Sequence, residues 1–316
     1  MSAHQRLLPV TLFSTAIGLL AWSQLWSYAT ALWQLPMQYA HVARGIALSV
    51  WFILLVVFVW QRMVVTRLTV DSLKQLTASP LMALLFVATL LASMQLQPWF
   101  ASAALALFLV TLLLQLLFSL WWMGRFWQGL QQPDEHYASI YLPAVAQNLV
   151  ASMAASVFGW PNLAVLLFGA GVFSWLAIES LVMQRAARAD AVPAAQRPLQ
   201  GIQIAPAVVT GLAYLMLEPD SANLLIKMLL GYGCYQLLVA IRLLPWTFKA
   251  GAHMGFWSFS FGVMASAQIS VLLALMTPAE RTWQVLSIFM FALANTVVVV
   301  LLGLSFLVTW RGKLLG

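Results

Sequence analysis

The stretch FWSFSFGVMA, residues 256–265, puts four aromatic side chains into six positions of an apolar run, residues 254–276, that carries no formal charge. A bilayer's hydrocarbon core is about 30 Å thick, so roughly 20 consecutive apolar residues cross it as a helix. This run is long enough. Its aromatics alternate with serines and stop at Gly262, an unusual surface to offer lipid. Because an α-helix turns through about 100° per residue, Phe259 and Phe261 point about 200° apart and cannot share a face. Ser258, Phe261, Ala265, Gln268 and Leu272 follow a three-four rhythm that sets one ring among small or polar residues. Phe259, Gly262, Ser266 and Ile269 make a second face, suited to packing a neighbouring helix. The first face is the better pore wall, since a ring in a narrow pore excludes ions and water and its rotation admits them. Ordinary bundle packing is the alternative reading of Phe261.

The rest of the chain belongs with this run. Hydrophobic residues make up 63% of it and charged residues 7%, whereas a soluble domain is about 45–50% apolar. A soluble globule is excluded, and the dyad alternation of a membrane β-barrel is absent. The sequence predicts an all-α polytopic membrane protein, a single domain over residues 1–316. Its ten spans fall near residues 8–28, 44–61, 80–98, 100–123, 139–159, 161–183, 200–217, 222–241, 252–276 and 283–309.

Charge sets the orientation. In a ten-span chain Arg6, Arg62, Arg67, Lys74, Arg125, Arg185, Arg188, Arg197, Arg242, Lys249, Arg311 and Lys313 share one side, while Arg44, Lys227 and Arg281 lie on the other. The positive-inside rule then puts both termini in the cytoplasm. Nine or eleven spans would scramble this segregation. It also requires the first span to be retained, although Arg6 and the apolar run after it resemble a secretory signal peptide. The net charge of +7 is spread over separate short loops without a basic motif, so nucleic acid is not an expected partner.

Tight connections on one side and longer charged ones on the other divide the chain into five helical hairpins. Spans 2, 4, 6 and 10 are bulky. Spans 5, 7 and 9 are richer in small and polar residues, and each holds a disruptor at a comparable place: Pro143, Pro206 and Gly262. Such residues either bend a helix beside a cavity that satisfies the freed carbonyls or allow close helix packing. Odd-numbered spans are therefore candidates for an inner ring. Their cores contain no Asp, Glu, His, Lys or Arg, which disfavours a coupled pump. No convergent cluster suggests a catalytic residue, a metal site or a cofactor, so an enzyme is not expected. Cys234, the lone cysteine, reads as a small apolar residue. Glu179 is expected to pair with a cation or reach the headgroups, and Arg242 to act as a snorkelling anchor.

Six ordered motifs carry a resemblance: HYASIYLPAVAQN from His136, FGAGVFSWLAIE from Phe168, GIQIAPA from Gly201, LLGYGCYQLL from Leu229, RLLPW from Arg242 and FWSFSFG from Phe256. Together they resemble the tellurite-resistance/dicarboxylate transporter family, which includes bacterial TehA-like proteins, plant slow anion channels and yeast-type malate permeases. The likeness is strongest from about residue 136 onward. It implies ten helices in five hairpins with quasi-fivefold symmetry, odd helices around a central pore, a homotrimer with one pore per subunit, and a phenylalanine of helix 9 blocking the pore. Carried over, that position is Phe261, and Pro143 and Pro206 take the kink positions of helices 5 and 7. Helices 1 and 3 depart from the family in lacking mid-helix prolines.

The expected function is passive conduction of small monovalent anions across a bacterial inner membrane, with Phe261 as gate. Pro143, Pro206, Ser258, Gly262, Ala265, Ile17, Ala146 and Val209 are the pore-lining or kink candidates, and Ser258, Thr210, Asn148 and Gln147 the candidate polar contacts. The expected partners are the lipid bilayer, small inorganic anions and two further copies of the chain. Alternatives are a carrier or exporter of C4-dicarboxylates or tellurite-related oxyanions, and a membrane scaffold or sensor without flux.

Overall fold

The computed structural model describes residues 7–65, 79–130, 137–188, 192–219 and 222–312. His4, Arg6, Arg67, Asp71, Lys74, Asp134, Glu135, His136, Asp190, Asp220 and Lys313 of the predicted loops and tails lie outside them. Among the described residues there is no strand. The long elements are α1 (Phe13–Leu32), α2 (Gln38–Trp60), α3 (Ala83–Leu96), α4 (Ala101–Trp127), α5 (Gln147–Val157), α6 (Pro161–Ala186), α7 (Ala205–Leu217), α8 (Leu224–Thr247), α9 (Ser258–Met276) and α10 (Arg281–Trp310).

Eight helical segments of the described residues are long and apolar enough to cross a membrane, which makes this a multi-pass membrane protein. The segment Pro80–Leu96 around α3 is apolar but shorter, and α1 is diluted by Ser14, Thr15, Ser23, Gln24 and Ser27. One predicted boundary is corrected: α2 starts at Gln38, so Arg44, the first residue of the predicted span, lies two turns inside the helix. The error has a physical cause, since counting only the apolar stretch cuts off the polar turns, residues 38–43, with which the helix begins.

Each odd helix packs on the even helix that follows it, and α1 packs on α3, α3 on α5, α5 on α7, α7 on α9 and α9 on α1. Burial follows the same division. In the most apolar window of each segment, 83% of the residues around α5 and 72% of those around α7 and α9 are buried, against 22–33% for the five even helices. Large side chains on the even helices, among them Phe52, Leu113, Phe173, Leu238 and Val299, are exposed. Lipid tails are as apolar as these side chains, so their exposure to a bilayer costs little.

All five odd helices are entered through 3₁₀ turns, at Val10–Leu12, Pro80–Met82, Ala138–Ile140, Ala194–Ile204 and Met254–Trp257. Two of these turns have side-chain caps: Ser79 Oγ accepts from the Leu81 N–H at 3.3 Å and His253 Nδ1 from the Gly255 N–H at 2.9 Å. The three disruptors read as equivalents in the sequence behave differently. Pro143 sits in a π-helical turn, Leu142–Ala146, where the missing N–H is absorbed by a wider register. Pro206 lies in the first turn of α7, where no helical N–H is needed. Gly262 interrupts nothing, because α9 runs through it. A Cβ there would lie 2.7 Å from Ile204 Cβ and 3.0 Å from the Ala205 backbone nitrogen. Its function in the fold is the close approach of α9 to the start of α7.

The tight connection between α5 and α6 turns on Gly159, whose φ of 77° suits a residue without a side chain. Trp160 N–H reaches Ala155 O at 2.8 Å and Gly159 N–H reaches Ser156 O at 3.1 Å. This pair of bonds caps the last carbonyls of α5, and Pro161 opens α6 directly afterwards.

Candidate functional site

Two cavities lie along the inside of the five odd helices. The first, of about 50 Å³, is lined by their N-terminal halves, including Ile17 of α1, Val87 of α3, Ala146 just before α5, Pro206 and Val209 of α7, and Ser258 and Phe261 of α9. The second, of about 240 Å³, is lined by their C-terminal halves, including Gln24, Gln95, Met153, Met216 and Gln268, and by Phe261 from the first turn of α9. Among the described residues Phe261 is the one side chain common to both linings. Every residue from 262 to 271 of α9 is buried, but Phe261 keeps partial exposure because its ring faces these voids.

The face predicted for α9 is divided between the chambers. Ser258 and Phe261 reach the N-terminal chamber, Phe261 and Gln268 the C-terminal one, and Leu272 a smaller cavity beside it. Ala265 is fully buried and lines neither chamber. Phe259 lines neither and stacks on Phe256, with ring centroids 6.1 Å apart. Pro143 and Gly262 also lie off both linings, whereas Ile17, Ala146, Pro206 and Val209 lie on the first.

The N-terminal chamber is largely apolar, and three of the four hydroxyls in its lining spend their protons on the protein itself. Ser14 Oγ donates to Thr11 O at 2.6 Å, Ser258 Oγ to Pro198 O at 2.6 Å and Tyr141 Oη to Glu179 Oε2 at 2.7 Å. The Ser258 proton is thus spent on a backbone carbonyl, where the sequence reading had the hydroxyl as a candidate polar contact. Asn148 donates to Ala144 O at 2.7 Å. Gln147, Asn148 and Thr210 are buried off both linings.

The C-terminal chamber is polar. Gln95 Nε2 donates to Leu20 O at 2.6 Å and Gln268 Nε2 to Ala21 O at 2.7 Å, so α3 and α9 both grip consecutive carbonyls of α1. Gln24, Gln97 and Arg44 complete its polar lining. The sequence reading had Gln268 on the α9 face but missed Gln24, Gln95 and Gln97, and gave Arg44 only a topological role. A signal existed: SMQL at residues 93–96 and SAQI at residues 266–269 repeat one pattern, at the end of α3 and in the middle of α9.

Behind the N-terminal chamber, Glu179 of α6 is held by uncharged donors where a cation or the headgroups were expected. Its Oε2 accepts from Tyr141 and Trp175, both at 2.7 Å, and its Oε1 from Tyr232 at 3.0 Å and Gln203 at 3.2 Å. The carboxylate ties α6, α8 and the entries of α5 and α7 together, and it lines neither chamber. Arg242 is exposed on α8, away from both. Among the described residues no His, Cys, Asp and Glu group could hold a metal ion.

Two comparisons bear on this arrangement. Residues 8–306 match a family described as SLAC1, voltage-dependent anion channel. A "Tellurite resistance protein TehA homolog" of Haemophilus influenzae is 30% identical over 308 residues, spanning 96% of this chain and 90% of that protein.

Proposed function

The chain belongs to the SLAC1 family of voltage-dependent anion channels, and from that premise we propose that it passively conducts small monovalent anions and is closed by Phe261. The observation that carries this reading is the position of that ring as the one side chain shared by two chambers. The hairpin and odd-helix packing supports ten crossings, with five hairpins in quasi-fivefold order around one central pore. The proposed setting is a bacterial inner membrane, with both termini cytoplasmic, in a homotrimer with a pore in each subunit. The whole chain acts as one transmembrane domain.

An ion in an apolar constriction loses hydration that the apolar lining around Phe261 does not replace, and that loss closes the path. Among the described residues neither lining holds a carboxylate, which favours a passive path over proton coupling. Chloride efflux from proteoliposomes tests the reading. Phe261→Ala should release chloride much faster than the wild type, whereas an unchanged rate in well-folded protein would remove the gate. The relative's name favours a second reading, a carrier of tellurite-related oxyanions or dicarboxylates. Saturable, proton-dependent uptake would establish it instead.

A further inference from the structure

Arg44 is the one charged side chain in either chamber lining among the described residues. It comes from α2, an even helix, yet it reaches the C-terminal chamber formed otherwise by the inner helices and the α3–α4 turn. Its Nη2 donates to Ser27 Oγ of α1 at 3.0 Å, and its guanidinium carbon lies 5.2 Å from the centre of the Trp99 ring. These contacts hold the head without neutralising it. Its Nε–H is buried and has no hydrogen-bond partner. Lys227, another cation of this end of the molecule, lies 3.8 Å from Glu280. Arg44 instead faces a cavity lined by four glutamines and no acid.

A cation without a counter-charge in such a cavity calls for an anion. The neighbouring groups suit one. Gln95 and Gln268 each use one amide N–H on an α1 carbonyl, and each amide nitrogen carries a second. The C-terminal ends of α3, α5 and α7 border the chamber and carry partial negative charge, so without Arg44 it would disfavour anions. We propose that the C-terminal chamber is a binding site for one small monovalent inorganic anion, held by the Arg44 guanidinium and glutamine amides before it passes Phe261. The guanidinium fork fits chloride, bromide or planar nitrate. This assignment rests on the channel reading and adds the place where the anion waits.

Two measurements test it independently. In planar bilayers, Phe261→Ala should show conductance that saturates with chloride. Adding Arg44→Gln should raise the half-saturating concentration about tenfold, as expected for loss of one nearby positive charge, and Arg44→Lys should restore most of it. The same saturation curve with and without Arg44→Gln overturns the site. Crystals of the wild type grown in neutral detergent and soaked in bromide should give an anomalous peak within hydrogen-bond distance of Arg44, absent in Arg44→Gln. No peak there also overturns the site. The bromide measurement does not require current, so a silent Phe261→Ala channel with a bromide peak would refute the channel reading and leave the site standing.

Discussion

Replacing Glu179 with alanine should be among the most destabilising changes in the molecule that leave both chamber linings intact. The carboxylate accepts from Tyr141, Trp175, Gln203 and Tyr232. Hydrogen bonds to a charged group contribute about 1.5–3 kcal/mol each in soluble proteins, while helix–helix bonds in membranes average about 0.6 kcal/mol. Tyr232 is 37% exposed and can turn its hydroxyl elsewhere, but Tyr141 at 1% and Trp175 at 8% have nowhere to go. Two buried donors left without an acceptor, together with the loosened Gln203, set the expected loss at about 3–5 kcal/mol. Glu179→Gln, which keeps one acceptor oxygen and turns an amide against the other donors, should lose about half as much. Unfolding by sodium dodecyl sulfate in mixed micelles, followed by tryptophan fluorescence, reads both values. A double-mutant cycle with Tyr141→Phe should give a coupling above about 1 kcal/mol. A loss below about 1 kcal/mol for Glu179→Ala would show that the four donors find other acceptors, and would refute the reasoning.

Three other substitutions separate packing from permeation. Gly262→Ala forces a methyl against Ile204 and the Ala205 backbone and should cost about 1–3 kcal/mol of stability. Gly231→Ala, with nothing within 4 Å of the added carbon, should be neutral or stabilising by up to about 1 kcal/mol in the same titration. Ser258→Ala removes the bond to Pro198 O and should lower stability by about 1 kcal/mol. In the conducting Phe261→Ala background it should leave the chloride dependence of current unchanged, and weaker apparent chloride affinity would show that the hydroxyl does serve the anion.

Much of the helical plan was legible because lipid imposes it. Bulky runs such as FILLVVFVW in α2 and LVTLLLQLLF in α4 mark helices exposed on one side, and the small and polar residues of α5, α7 and α9 mark the buried ones. The geometry of entry into the inner helices was not legible, because a 3₁₀ turn differs from an α-turn only in hydrogen-bond register. Pro143, Pro206 and Gly262 looked alike at the level of helix propensity and separate only when the neighbour is known. Gly262 answers to Ile204, which lies 58 positions away in the sequence by subtraction of residue numbers. The polar chamber was hidden for a related reason. Gln24, Gln95 and Gln268 come from three helices, and no spacing within one helix reveals that they converge. Arg44 was counted for its charge, and charge alone does not tell which way a side chain on an outer helix turns.

The central claim is that one ring, and not its neighbour two residues away, closes the pathway. An ion stripped of water at an apolar constriction faces a penalty of several kcal/mol, and lowering it by about 3 kcal/mol speeds passage about a hundredfold. Purified Phe261→Ala and Phe259→Ala proteins, each in planar bilayers under a chloride gradient, test this most directly. The account predicts discrete current steps for Phe261→Ala, about a hundredfold above the wild-type current and reversing near the chloride equilibrium potential, with Phe259→Ala indistinguishable from the wild type. Wild-type current through well-folded Phe261→Ala, or an equal rise in both variants, would contradict it.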